Sequence, residues 1–330
     1  MIITATPNPS VDSTFQLTEK LIPGTVMRLS AAVSVAGGKG INVAHAVHNA
    51  NKATTAIFPA SQDDPFVGLV QEVGLPFVTT PTDFPVRVNT TLADPDGETT
   101  KLNGIGAQLS TSDLQALEAA IVAQAQSADW VVLAGSLPPG VSADWYTHVI
   151  ELLRTRVSPA PKIAVDTSNE PLLAIANALP DNAPTLLTPN SIELGQIIGA
   201  AGDELEKAAM NGDYLPVVSA ANQLVEKGVE MALITLGAAG AVLATTDGAW
   251  VANTPKTQVV STVGAGDCAL AGFVMGQAAG LNPADSLALG VAYGRAAVML
   301  PGTTIPTPEL IDTSAVTVRP SQTSAEQAAL

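Results

Sequence analysis

Ser261-Thr262-Val263-Gly264-Ala265-Gly266-Asp267-Cys268 follows a strand-like run, Gln258-Val259-Val260, and precedes small residues, Ala269 to Gly276, that read as a helix. Strand, glycine turn and helix in succession form the unit from which layered α/β proteins are built. A helix start presents unpaired backbone N–H groups and a partial positive charge. Glycines at 264 and 266 let that backbone approach an anion closely. A carboxylate at 267 can take the proton of a hydroxyl as the hydroxyl attacks. The stretch reads as a place where a phosphate meets an alcohol; alone, it also fits a tight turn with an acidic helix start.

Working outward, the same alternation recurs. Helical patterns are expected over 112–125, 144–154, 171–179, 192–198 and 219–227, and strands over 130–134, 163–165, 185–187 and 232–235. Residues 241–245 and 250–252 read as a hairpin. This predicts a three-layer α/β/α domain with a mostly parallel central sheet. The early strands break the scheme. Ile2 to Thr6 is a first core strand, and 41–49 a helix. Residues 13–17, 26–35, 87–94 and 99–103 are strands with little helix between them. They read as a small β-sheet lid, formed by about 12–35 and 85–103, on a domain spanning 1–310. Residues 311–330 read as a weakly packed C-terminal tail.

Composition narrows the function. Only 14 of 330 residues are Lys or Arg, and the net charge is −16. That excludes general binding to nucleic acid or anionic membrane. It also makes a cation inside a glycine-rich motif conspicuous. A single cysteine precludes an intrachain disulfide and suits a reducing compartment. There is no basic n-region with an apolar run at the N-terminus, and no apolar run that spans a bilayer. A cytoplasmic location is expected.

Further motifs fall just past strands, where ligands bind in open α/β sheets. Thr235-Leu236-Gly237-Ala238-Ala239-Gly240-Ala241 reads as a loop around a nucleotide phosphate or as a plain β-turn. Gly37-Gly38-Lys39-Gly40-Ile41-Asn42 puts a lysine between glycines at a helix start, a natural anion site. It is not a Walker A loop, because Gly40 stands where Ser or Thr would hold Mg²⁺. Nor is it a dinucleotide fingerprint, because position 43 is Val. Asn190 and Glu193 open a helix either as a water-mediated Mg²⁺ site or as a cap. Asp12 reads as an acceptor for sugar hydroxyls or as a turn residue. Arg87 is a lone cation in a β-rich stretch, a phosphate clamp or a surface ion pair. His45 reads as structural, and Cys268 as a small buried thiol.

Taken together, these motifs resemble the ribokinase-like sugar kinases of the phosphofructokinase B family. Two signatures carry the resemblance: Ala36-Gly37-Gly38-Lys39-Gly40-Ile41-Asn42-Val43-Ala44 and Ser261-Thr262-Val263-Gly264-Ala265-Gly266-Asp267. It runs from about Ile2 to Thr307. Thr6-Pro7-Asn8-Pro9-Ser10-Val11-Asp12, Arg87-Val88-Asn89, Gly135-Ser136-Leu137-Pro138-Pro139-Gly140 and Val259-Val260-Ser261-Thr262 are similar to members that phosphorylate fructose 1-phosphate.

The resemblance implies ATP-dependent phosphorylation of fructose 1-phosphate at its 6-hydroxyl, giving fructose 1,6-bisphosphate. Asp267 would be the general base, and the N–H groups of Gly264, Ala265 and Gly266 the anion hole. Thr235, Gly237, Gly240, Lys256 and Gly266 would hold ATP. Asn190 and Glu193 would position Mg²⁺ through water. Asp12, Gly38, Asn42 and Asn103 would contact the sugar, and Lys39 with Arg87 its phosphate. A homodimer through the β lid is implied as well. The alternatives are a sister kinase of tagatose 6-phosphate or fructose 6-phosphate, and a sugar-phosphate-binding regulator without chemistry. A dinucleotide oxidoreductase fits poorly, since the first strand leads into Asn8-Pro9-Ser10. One departure stands out: many relatives have Lys-Pro-Asn where this chain has Thr188-Pro189-Asn190. Losing one charged contact to the nucleotide phosphates costs roughly 1.5–3 kcal/mol.

Overall fold

The computed structural model describes residues 1–321. In chain order its main elements are β1 (Ile2–Ala5), β2 (Ser10–Leu17), β3 (Leu29–Gly37), α1 (Lys39–Asn49), β4 (Thr54–Pro59), α2 (Pro65–Glu72) and β5 (Phe77–Thr80). Next come β6 (Arg87–Ala93), β7 (Thr99–Asn103), α3 (Thr111–Ala125), β8 (Trp130–Ala134), α4 (Trp145–Arg156), β9 (Lys162–Asp166), α5 (Asn169–Asn177) and β10 (Leu186–Leu187). The chain continues through α6 (Ser191–Ile198), α7 (Gly202–Met210), α8 (Leu215–Glu226), β11 (Met231–Thr235), β12 (Ala241–Thr245), β13 (Gly248–Asn253), α9 (Ala265–Ala278), α10 (Pro283–Val298) and β14 (Thr317–Ser321).

Ten strands form the main sheet in the order β14-β13-β12-β11-β10-β9-β8-β1-β4-β5. From β5 to β11 every pairing is parallel; β12, β13 and β14 complete one edge antiparallel. Alternate side chains of a strand point to opposite faces, and the buried strands are apolar on both. Ile3, Val131, Leu133 and Val165 face α3, α4, α5 and α8 through Ile121, Tyr146, Ile150, Leu172 and Leu224. Ile2, Trp130, Val132 and Leu233 face α1, α9 and α10 through Val43, Val47, Phe273 and Leu287. Those two cores make the expected α/β/α layers.

A separate four-stranded sheet has the order β3-β2-β6-β7. Its outer pairings are antiparallel, while β2 and β6 run parallel. A third, smaller core joins it to the main body, with Val11 and Ala36 against a cluster that includes Ile41, Phe58 and Phe66.

Three sequence expectations change. Gln258 to Val260 is not a strand: the run has no ladder partner among the described residues, Val259 and Val260 are exposed, and Val260 N–H donates to Val298 O at 2.8 Å. The stretch expected as a tail contributes β14, which pairs with β13 from Thr317↔Asn253 to Ser321↔Ala249. Pro320 is tolerated there because β14 is an edge. The rest of that expected tail, 322–330, lies outside the described residues. Finally, 54–80 and 283–298, to which the sequence patterns assign no element, hold β4, α2, β5 and α10.

Candidate active site

In the parallel part of the sheet, the carboxyl ends of β1, β8, β9, β10 and β11 lie along one edge. The strand order reverses at β1, whose neighbours are β4 and β8, and a ligand crevice opens at such a point. The loops leaving this edge carry Asn8, Ser136, Asp166, Asn190 and Gly237.

Asp267 stands in the first turn of α9, whose N-cap Gly264 has a left-handed φ of 79°. The side chain is only 7% exposed. Asn42, on α1, donates Nδ2–H to Asp267 Oδ2 at 2.7 Å. This contact joins the two glycine motifs, which are 225 residues apart in sequence. Burial and the neighbouring Asp166 push the Asp267 carboxyl up to about 7; Lys39 and the Asn42 hydrogen bond work against them. A carboxylate near neutrality in a cleft has the character of a general base. The first N–H groups of α9 have no intrahelical acceptors, although Ala265 N–H leans toward Thr262 O at 3.4 Å.

Beneath this helix start lies a cavity of about 190 Å³, lined by Lys39, Asp166, Thr188, Asn190, Glu193 and Thr235 with Gly266 and Asp267. Seven of the residues singled out from the sequence therefore meet. Asp166 was not among them. It ends the apolar strand β9, and a carboxylate closing such a strand at the ligand edge is the signal that sequence reading passed over. Lys39 Nζ donates to Asp166 Oδ1 at 2.8 Å. Burial alone would lower the Lys39 pKa, but Asp166, Asp267 and Glu193 more than offset it and hold it above the ordinary lysine value.

Asn190 and Glu193 form a capping box. Asn190 Oδ1 accepts from Glu193 N–H, and Glu193 Oε2 accepts from Asn190 N–H, each at 2.9 Å. The cap reading is thus realised. It leaves Glu193 Oε1 without a bond inside the box, and burial raises the Glu193 pKa. Among the described residues no cluster of three or more His, Cys, Asp or Glu is arranged to hold a bare ion. Glu193 and Asp166 nonetheless offer oxygen ligands toward one cavity, which suits a Mg²⁺ that keeps most of its waters. Thr188 supplies no cation; its Oγ1 donates to Val165 O at 3.3 Å.

A second group sits on the small sheet. Asp12 is in register with Asn89, and Asn89 with Asn103, so the three share a face. Ser10 Oγ–H and Asn89 Nδ2–H hold Asp12 Oδ1 at 2.8 and 3.0 Å. A Cβ on Gly37 would lie 2.2 Å from Asp12 Oδ2, so this arrangement requires glycine there. Asn103 itself is exposed. Arg87 donates from its two terminal nitrogens to Gly104 O and Asn8 O, both at 3.1 Å. Among the described residues its Nε is buried without a partner, and no carboxylate lies within salt-bridge distance. Burial lowers its pKa, opposed by Asp12. A half-buried guanidinium lacking a counter-ion is poised for an anion. Asn89 is the other residue missed as a site candidate.

Gly237 and Gly240 bracket a short 3₁₀ turn after β11, with φ of 53° and 92°. A Cβ on Gly240 would come within 2.0 Å of Ala252 O. Lys256 lies on the exposed strand-free segment between β13 and α9, without a side-chain partner among the described residues. Cys268 is buried, and burial raises its thiol pKa, as befits a core thiol.

Comparison with known proteins points to one family. A 1-phosphofructokinase from Haloferax volcanii is 37% identical over 314 residues, covering 93% of each chain. An ATP-dependent 6-phosphofructokinase isozyme 2 from Mycobacterium tuberculosis is 32% identical, covering 92% of this chain and 85% of its own. The crystal structure of phosphofructokinase-2 from Escherichia coli with substrates and products superposes with a TM-score of 0.83 at 28% identity, over 94% of this chain and 96% of that one. The layered sheet with its appended small sheet is a ribokinase-like α/β fold. With the model of the pfkB family carbohydrate kinases matching residues 5–310, the chain belongs to that family and is a kinase.

Proposed function

We propose that the chain transfers the γ-phosphoryl group of ATP to the 6-hydroxyl of fructose 1-phosphate. The observation that carries this reading is Asp267, buried and near neutral in pKa, at a helix N-terminus on a cavity that also holds Lys39 and Glu193. Asp267 accepts the proton as the hydroxyl oxygen forms its bond to Pγ. The bond from Pγ to the β–γ bridging oxygen breaks, and ADP departs with that electron pair. The N–H groups of Gly264, Ala265 and Gly266 at the start of α9 stabilise the charge on the phosphoryl oxygens, Ala265 N–H by leaving its long contact with Thr262 O, as phosphoryl transfer demands positioning and electrostatics above all. Thr235, Gly237, Gly240 and Lys256 hold the nucleotide. Asn190 and Glu193 would hold Mg²⁺ through water, and the ion would there supply positive charge toward the donor phosphates.

Asp12, Gly38, Asn42 and Asn103 orient the acceptor sugar, and Arg87 pairs with its phosphate. The relative from Haloferax volcanii supports fructose 1-phosphate as acceptor; the Mycobacterium tuberculosis relative favours fructose 6-phosphate as the second reading. Initial rates with ATP on fructose 1-phosphate, fructose 6-phosphate and tagatose 6-phosphate decide the matter. The highest kcat/KM is expected on fructose 1-phosphate, and a higher value on either other sugar overturns the choice.

The small sheet acts as a lid over the acceptor, and two lids pair in a homodimer. Supporting this, the outer edges of β3 and β7 have no strand partner among the described residues, and Val33, Val88 and Leu102 are exposed. Sedimentation velocity is expected to give twice the chain mass of 33.5 kDa; a monomer at micromolar concentration rejects the pairing. A cytoplasmic location fits a reducing compartment for buried, unpaired Cys268, and no described helix is long and apolar enough to cross a membrane.

A further inference from the structure

The cavity beneath α9 is lined by three carboxylates, Asp166, Glu193 and Asp267, and by one cation, Lys39. Arg87 is not among its lining residues; it belongs to the small sheet and is fixed there by Gly104 O and Asn8 O. Of the two cations that the sequence groups together for the acceptor's phosphate, Lys39 is thus the one that lines the cavity with Gly266 and Asp267. The backbone keeps Lys39 where it is. A Cβ on Gly40 would lie 2.4 Å from Thr6 Oγ1 and 3.1 Å from Ala5 O, so the first turn of α1 is seated directly on the end of β1. The long side chain is then steered by Asp166, whose buried Oδ1 accepts from Nζ at 2.8 Å.

We infer that Asp166 is a positioning residue that holds Lys39 against the phosphoryl group in transit, and that recognition of the acceptor's own phosphate falls to Arg87. The inference rests on the kinase reading above. A phosphoryl group passing between donor and acceptor spreads its charge over three oxygens. Three carboxylates around that path oppose its entry. An ammonium already placed there offsets them and needs no reorganisation as charge develops. A flexible lysine stem fits this use only if something fixes its tip, and Asp166 does so.

The test uses Lys39→Met, Asp166→Asn and the double variant Lys39→Met/Asp166→Asn, which removes both members of the Lys39–Asp166 pair and so leaves neither facing an absent partner. Steady-state rates are measured with the acceptor that the unmodified protein turns over fastest. Binding of ADP and of the non-hydrolysable ATP analogue AMP-PNP, each with Mg²⁺, is measured by calorimetry. Lys39→Met and the double variant are expected to lose about 100-fold in kcat, with the acceptor KM held within about threefold. AMP-PNP affinity falls about tenfold while ADP affinity is unchanged, because only the former carries a γ-phosphate. Asp166→Asn shows the same pattern at roughly a tenth of the loss. A merely structural role would not divide kcat from KM or AMP-PNP from ADP. An acceptor KM raised tenfold with kcat preserved returns Lys39 to the acceptor phosphate and overturns the inference. Asp166→Asn indistinguishable from the unmodified protein overturns the positioning role. If no sugar phosphate is turned over, the kinase reading fails by itself; the ratio of AMP-PNP to ADP affinity still decides Lys39, and an unchanged ratio rejects it.

Discussion

Replacing Asp267 with Asn should destroy activity and stabilise the protein, and the stabilisation should depend on pH. In the folded chain the carboxyl is held at about 7 against an ordinary 3.8, chiefly by burial and by Asp166. The folded chain thus binds this proton more tightly than the unfolded chain. Stability falls as pH rises from about 4 to about 7, and the ionised carboxylate imposes its full cost above that window. One pH unit corresponds to about 1.4 kcal/mol, so the cost at pH 8 is roughly 2–4 kcal/mol. Asn is isosteric, neutral and able to keep the bond from Asn42 Nδ2. In a chain of 330 residues that energy corresponds to a Tm gain of roughly 3–6 °C. Thermal unfolding of both proteins from pH 4 to pH 8.5 reads it directly. The variant should melt higher at pH 8, with the gap narrowing below pH 7 and closing near pH 4. Its kcat should fall at least about 100-fold, the worth of a general base. A Tm gap that ignores pH, or a variant less stable at pH 8, would refute the raised pKa; unchanged kcat would refute the role.

Three further outcomes are expected. For the unmodified enzyme, kcat/KM should decline on the acid side with an apparent pKa of about 7, following the Asp267 carboxylate; a flat profile down to pH 5.5 contradicts this. Arg87→Met should raise the acceptor KM by roughly 10- to 100-fold with kcat little changed, as one charged contact is lost. Gly240→Ala should cost at least about 2 kcal/mol in denaturant unfolding, because φ is 92° and the new methyl meets Ala252 O; an unchanged midpoint refutes the turn's need for glycine.

Much of this was legible in the sequence where local chemistry and pattern agree. Buried strands such as Trp130–Ala134 announce themselves as apolar runs, and the glycines flanking Lys39 mark a helix start where side chains are excluded. Legibility failed where structure depends on partners. α10 carries no clear amphipathic stripe because Gly290 lies against Ala269 O and Gly272 against Leu289 O, a close packing of small residues on two helices. β14 becomes a strand only because β13 offers it an edge. Gln258 to Val260 looks like a strand by composition but finds no ladder. Within the site, Asp166 gains meaning only from Lys39, 127 residues away.

The account's central claim is transfer of a phosphoryl group from ATP to a sugar hydroxyl at Asp267. Phosphorus NMR of a reaction containing ATP, Mg²⁺ and fructose 1-phosphate tests it most directly. The account predicts loss of the γ-phosphate signal and growth of ADP together with a second phosphomonoester coupled to the C6 protons. The same mixture with Asp267→Asn should stay silent over the same interval. Release of inorganic phosphate alone, or intact ATP, would contradict it.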